Sequence, residues 1–161
     1  MYQKILVPYD SSKPSEKALD HAVSIARIVG DKSKCQVILL HVIAEYPVSP
    51  FVDRPVRSPK TGEVVTLSRY VREIYDMMIE SATGLLNKKK EEVMKASGVD
   101  MRTEVTAGNV ATSIVEFAQK EKVDLIIMGN TGLSGISKLK TLGSVLRSVS
   151  ERSPCPVMII H

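Results

Sequence analysis

Tryptophan is missing from this chain, and phenylalanine occurs only at Phe51 and Phe117. A core must therefore be assembled from Ile, Leu, Val, Met and Ala. That composition suits a parallel sheet covered by helices on both faces. Cysteine is scarce too. Cys35 and Cys155 lie far apart, with neither a CxxC pair nor metal-ligand spacing. This speaks against a disulfide framework and favours a reducing compartment. No apolar run approaches the roughly 20 residues of a membrane span. Met1-Tyr2-Gln3-Lys4 runs straight into an apolar stretch with no secretory leader pattern. A cytoplasmic protein without membrane contact is expected. Basic clustering is slight as well. The net charge is +4, and the only basic triplet, Lys88-Lys89-Lys90, is followed at once by Glu91-Glu92. It reads as a solvated helix face, not as a nucleic-acid patch.

What is present is an alternation. The 161 residues fit one domain. Short apolar runs occur at Ile5-Leu6-Val7, Gln36 to Val42, Met101 to Thr106, Leu125 to Met128 and Val157 to Ile160. Most are continuous, as expected of strands buried on both faces. Helical patterns lie between them. Ser15 to Val29 places Ala18, Leu19, Ala22, Ile25, Ala26 and Val29 on one face, with Ser11 or Ser12 as N-cap. Leu67 to Ser97 runs through Val71, Ile74, Met78, Ala82, Leu85 and Leu86 to Gly98, with Gly84 as a weak point in its middle. Val110 to Lys120 and Ser144 to Ser153 complete the set. The order β-α-β-α-β-α-β-α-β predicts an α/β fold, an open five-stranded parallel sheet with helices on both faces. One stretch breaks the rhythm. Residues 43–66 hold Pro47, Pro50, Pro55, Pro59 and Gly62 without periodicity, and a mobile loop is expected there.

In such sheets ligands bind beyond the carboxyl ends of the strands, where the strand order reverses. Two loops of unusual composition follow strands. Pro8-Tyr9-Asp10-Ser11-Ser12 follows the first, and Gly129-Asn130-Thr131-Gly132-Leu133-Ser134-Gly135 follows the fourth. They share an edge if those strands are neighbours. Glycines let backbone N–H groups approach an anion, and Gly143-Ser144 opens a helix whose first N–H groups have no intrahelical partner. The same glycines could simply shape turns. Asp10 suits a ribose or metal contact, or a helix-capping carboxylate. Met128 suits a base contact or the core. Lys138 and Lys140 could screen phosphates or be solvated. His41, in an apolar strand, reads as a satisfied core histidine.

The series Gly129-x-x-Gly132, a spacer, then Gly143-Ser144 resembles the nucleotide-binding signature of universal stress proteins. Lys4-Ile-Leu-Val-Pro-Tyr-Asp10 is similar to that family's first strand, and Leu39-Leu40-His41-Val42 to its second. Asp124 to Gly129 and Ser153-Pro-Cys-Pro-Val157 resemble its fourth and fifth. The likeness spans the chain apart from residues 43–66. It implies that Gly129, Gly132, Gly143 and Ser144 cradle phosphates, with Val145 beside them. It also implies that Pro8, Tyr9, Asp10 and Val42 line the nucleoside pocket, with Asp10 toward the ribose. One departure stands out: Leu133 to Leu142 is one residue longer than the usual spacer of ATP-binding members. Gly135 is placed to absorb it.

The resemblance implies an ATP-binding regulatory protein, with ATP, ADP or AMP as ligand, with or without Mg or Mn. An interaction module of the same fold with an empty pocket is the alternative. An enzyme is disfavoured, because there is no GxxxxGK[ST] loop and no Ser/His/Asp or Cys/His arrangement. A phospho-acceptor receiver would want an acidic cluster where Asp10 stands alone. A homodimer is expected through the last strand, since Val157-Met158-Ile159-Ile160 is wholly apolar and no helical pattern follows it.

Overall fold

Aliphatic runs and amphipathic stretches alternate, and the backbone follows them. Residues 2–30, 34–45, 49, 54–130 and 143–161 are described by the computed structural model. In chain order the elements are β1 (Lys4–Pro8), α1 (Lys13–Gly30), β2 (Gln36–Ala44), β3 (Pro55–Arg57), β4 (Val64–Thr66), α2 (Leu67–Ser97), β5 (Asp100–Gly108), α3 (Val110–Glu121), β6 (Leu125–Gly129), α4 (Ser144–Arg152) and β7 (Val157–Ile160). Five strands form one sheet in the order β5-β2-β1-β6-β7, every pair parallel. The expected α/β architecture is observed, and the first and fourth sheet strands in sequence, β1 and β6, are neighbours.

Successive side chains of a strand alternate between faces. Ile5 and Val7 of β1 and Leu125 and Ile127 of β6 join Ala18, Leu19 and Ala22 of α1 and Leu86 of α2 on one side. Leu6, Ile126 and Met128 join Ile114 and Ala118 of α3 and Leu146 and Val149 of α4 on the other. The sheet is thus buried on both faces, which is why its strands read as unbroken apolar runs. Helix ends match their residues. Ser12 caps α1, its Oγ accepting from the Ser15 amide at 3.3 Å. Asn109 caps α3 through the Thr112 amide at 3.0 Å. Gly98 closes α2 in the left-handed region, φ 71. The lysine triplet is not wholly solvated: Lys89 reaches Glu16 of α1 at 2.7 Å.

The stretch 43–66, expected as a mobile loop, holds regular structure among its described residues. Ile43 and Ala44 complete β2, and β3 pairs antiparallel with β4. Residues 46–48 and 50–53, where the rest of the expected mobile loop falls, lie outside the described residues. Three-residue strands are too short to show a period, so the hairpin is silent in the sequence. Its anchor is long-range. Buried Ser58 donates its Oγ proton to Glu73 of α2 at 2.5 Å and accepts from the Lys60 and Thr61 amides. Thr66 then caps α2 through the Arg69 amide.

The Ser58 hydroxyl, with Arg69 beside it, holds the Glu73 carboxyl below its ordinary value of 4.5. A carboxylate whose pKa is depressed in the folded state stabilises above its unfolded value and loses that contribution as pH falls through the folded value. Acidification below about pH 4.5 should therefore loosen the hairpin. Urea melts at descending pH are expected to show a shallower acid slope for Glu73→Gln than for the parent chain. Identical slopes would remove Glu73 from the account. Glu121, held low by Arg102, supplies part of the remaining slope.

Candidate functional site

The strand order runs outward from β1 in both directions, so the switch point lies between β1 and β6. A cleft of about 470 Å³ opens there, at the carboxyl ends of β1, β2 and β6. Nine residues singled out from the sequence line it: Pro8, Tyr9, Asp10, Val42, Met128, Gly129, Gly143, Ser144 and Val145. The tenth, Gly132, lies outside the described residues, as do Gly135, Lys138 and Lys140.

The loop after β1 is held by its own side chains. Asp10 Oδ1 accepts from the Ser12 amide at 3.0 Å, and Ser11 between them takes a left-handed backbone, φ 63. The capping serine is therefore Ser12, and the Asp10 carboxylate shapes the turn that presents it. Tyr9 divides its groups. Its ring packs with α1 and its hydroxyl donates to Glu16. Burial, with the Glu16 carboxylate beside it, pushes the Tyr9 phenol above its ordinary range. Its carbonyl accepts from His41 Nδ1 at 2.8 Å. His41 is thus a satisfied histidine, as its apolar strand suggested, yet it also stands on the cleft wall.

The far side comes from β6 and α4. Gly129 is glycine for a packing reason: a Cβ there would lie 2.4 Å from Pro14 Cβ and 2.7 Å from the Pro14 carbonyl carbon. The first turn of α1 crosses β6 too closely for any side chain. Asn130, next in the chain, donates its amide N–H to the Ile160 carbonyl at 2.9 Å, tying the cleft to β7. Gly143 is different. Among the described residues a Cβ there would meet the Asn130 carbonyl oxygen alone, at an ordinary 3.6 Å. Among the described residues no side chain caps α4, and its first amides, which have no intrahelical partner, stand beside the cleft.

Several cleft residues were missed by sequence reasoning. Val110 and Ile114 sit one turn apart on α3, and Leu146 one turn into α4; with Leu40, Val42 and Met128 they make an apolar wall. An apolar residue on a helix reads the same in sequence whether it faces the core or lines a cleft. Buried Ser15 and Asn130 complete the rim. The arrangement joins an apolar slot to a polar mouth that includes the first-turn amides of α4. Burial pushes both thiols, Cys35 and Cys155, upward and away from thiolate.

The family model of the universal stress proteins matches residues 1–161. The chain belongs to the universal stress protein family. It is 35% identical over 160 residues to universal stress protein MJ0531 of Methanocaldococcus jannaschii, covering 99% of this chain and 82% of that one. Among solved structures, the universal stress protein UspA from Lactobacillus plantarum superposes with a TM-score of 0.78 at 25% identity, over 99% of this chain and 98% of its own. A universal stress protein solved in complex with cAMP superposes with a TM-score of 0.57 at 28% identity, over 99% and 97% of the two chains. Among the described residues, no helix is long and apolar enough to cross a membrane.

Proposed function

We propose that the cleft binds an adenine nucleotide and that this universal stress protein works as a nucleotide-dependent regulatory module, in the cytoplasm and in a stress response. The observation that carries the reading is the uncapped amino end of α4 beside an apolar slot at the switch point. The base lies against Val42, Ile114 and Met128. The ribose approaches Asp10, and phosphate oxygens accept from the amides at Ser144 and Val145. The 28%-identical relative solved with cAMP supports this ligand class. Among the described residues no group of three His, Cys, Asp or Glu is gathered to hold a metal. Mg or Mn would therefore enter with the phosphates, with Asp10 as the nearby carboxylate. The side chains at hand bind and orient: Tyr9 is committed to Glu16, and His41 Nδ1 to a carbonyl.

A ligand held only by the native state raises its stability, by about 2.7 kcal/mol at a hundredfold excess over Kd. For a chain of this length that is about 5–10 °C in Tm. Melts with ATP, ADP, AMP and cAMP should show such a rise for at least one of them. No rise with any would leave an interaction module of the same fold.

The chain is also proposed to pair through β7. The two sheet edges differ. β5 carries Asp100, Arg102 and Glu104, whereas β7 is Val157-Met158-Ile159-Ile160, with Met158 37% exposed. An uncharged edge is a pairing template, and a two-fold axis closes it against itself. Light scattering should give a smaller particle for Ile159→Lys than for the parent. Equal masses would end the idea.

A further inference from the structure

Helix α2 has 31 residues, about 46 Å at 1.5 Å per residue. Yet among the described residues Glu73 and Leu86 are its only buried side chains. Its packing against β5 and β2 uses one side. The opposite side carries Met77, Met78 and Leu85 at 43%, 46% and 64% exposure. At 3.6 residues per turn, Tyr70, Ile74, Met77, Ser81, Gly84 and Leu85 share that face. Glu73, held by the hairpin, and Glu80 stand at its margin, and Lys88 ends it. A solvent-facing helix side is ordinarily charged or polar. Gly84 sharpens the point. A Cβ there would meet nothing within 4 Å, so the chain's own packing does not require the glycine, which costs a helix about 0.5–1 kcal/mol.

We propose that a second copy of this chain covers this face, the two α2 helices running antiparallel with Ser81 on the two-fold axis. A two-fold contact needs one surface that complements itself, and this face does so in a single register. With Ser81 opposite Ser81, Met77 of each protomer meets the gap left by Gly84 of the other, and Met78 lies beside Leu85. Ser81 and Gly84 are small enough to let the helices approach to about 8 Å, the near end of the usual range. The bulge and the gap belong to one face of one chain, and that commits the occupant to be another copy. Helix α2 packs on β5, at the sheet edge away from β7, and turns this face outward. The contact is therefore independent of both the nucleotide and the β7 proposals.

The test uses the full chain carrying Ile159→Lys, which removes the β7 edge from play. Adding Ser81→Cys should yield a disulfide-linked dimer on mild oxidation, because α-carbons on the axis of so close a crossing fall within disulfide reach. Thr83→Cys, on another side of the helix, should not, and neither should the parent with its native Cys35 and Cys155. Gly84→Leu, which improves helix propensity and fills the gap, should weaken self-association at least tenfold in sedimentation while the circular dichroism is unchanged. Ser81→Cys that crosslinks no better than Thr83→Cys would overturn the proposal. So would self-association that Gly84→Leu leaves intact.

Discussion

Gly143→Asp should make this protein slightly more stable and a much poorer nucleotide binder. Gly143 is the N-cap of α4, at φ −57 and ψ 147, with no side-chain cap bond. That backbone is open to any residue, and among the described residues its Cβ position is unobstructed. Aspartate there would accept from the amides of the first turn and complement the helix dipole. Better capping, a few tenths of a kcal/mol, and a less flexible unfolded chain together give a gain of about 0.5–1 kcal/mol. The same amides are the proposed phosphate donors. Occupying them with a carboxylate removes charge-assisted hydrogen bonds of about 1.5–3 kcal/mol, a loss of about 10- to 100-fold in affinity. Melting and calorimetric titration of one sample give both signs. A destabilised variant would mean that α4 does not start at Gly143. Unchanged affinity would move the anionic group elsewhere.

Gly129→Ala should do the reverse, harming the fold first. Its new Cβ would stand 2.4 Å from Pro14 Cβ, with the Pro14 backbone carbon next at 2.7 Å. A backbone contact cannot rotate away, so α1 must shift off β6. Overpacking of this kind costs about 1–3 kcal/mol, or roughly 3–10 °C in Tm. Nucleotide affinity should fall with it, since the Asp10–Ser12 turn is joined to the same end of α1. A Tm within a degree of the parent would show that α1 and β6 are not so close.

The two glycines answer to different physics, and the sequence could not separate them. Both stand in the family's signature, and both were read as phosphate cradles. Only the crossing of α1 over β6, set by residues more than a hundred positions apart, reveals that Gly129 answers to Pro14. The hairpin at β3 and β4 was hidden for a related reason. Its stabilising bond joins Ser58 to Glu73, and strands of three residues carry no period. Helix α2 misled in the opposite sense. Its apolar pattern through Met78 and Leu85 is real, but it is wider than the face the sheet covers.

The sequence by itself determined the sheet, its helices and the cleft. Continuous aliphatic runs such as Ile5-Leu6-Val7 can only be strands buried on both sides, and ligand loops in such sheets follow from chain order. Those signals are local, set by periodicity and by which residues tolerate water. Tertiary structure alone decided which glycine is packed and which is open, that Tyr9 turns its ring into the core and its carbonyl to His41, and which side of α2 is left bare. Each of these depends on how elements distant in sequence approach one another, and a side chain's neighbours across the fold leave no period to read.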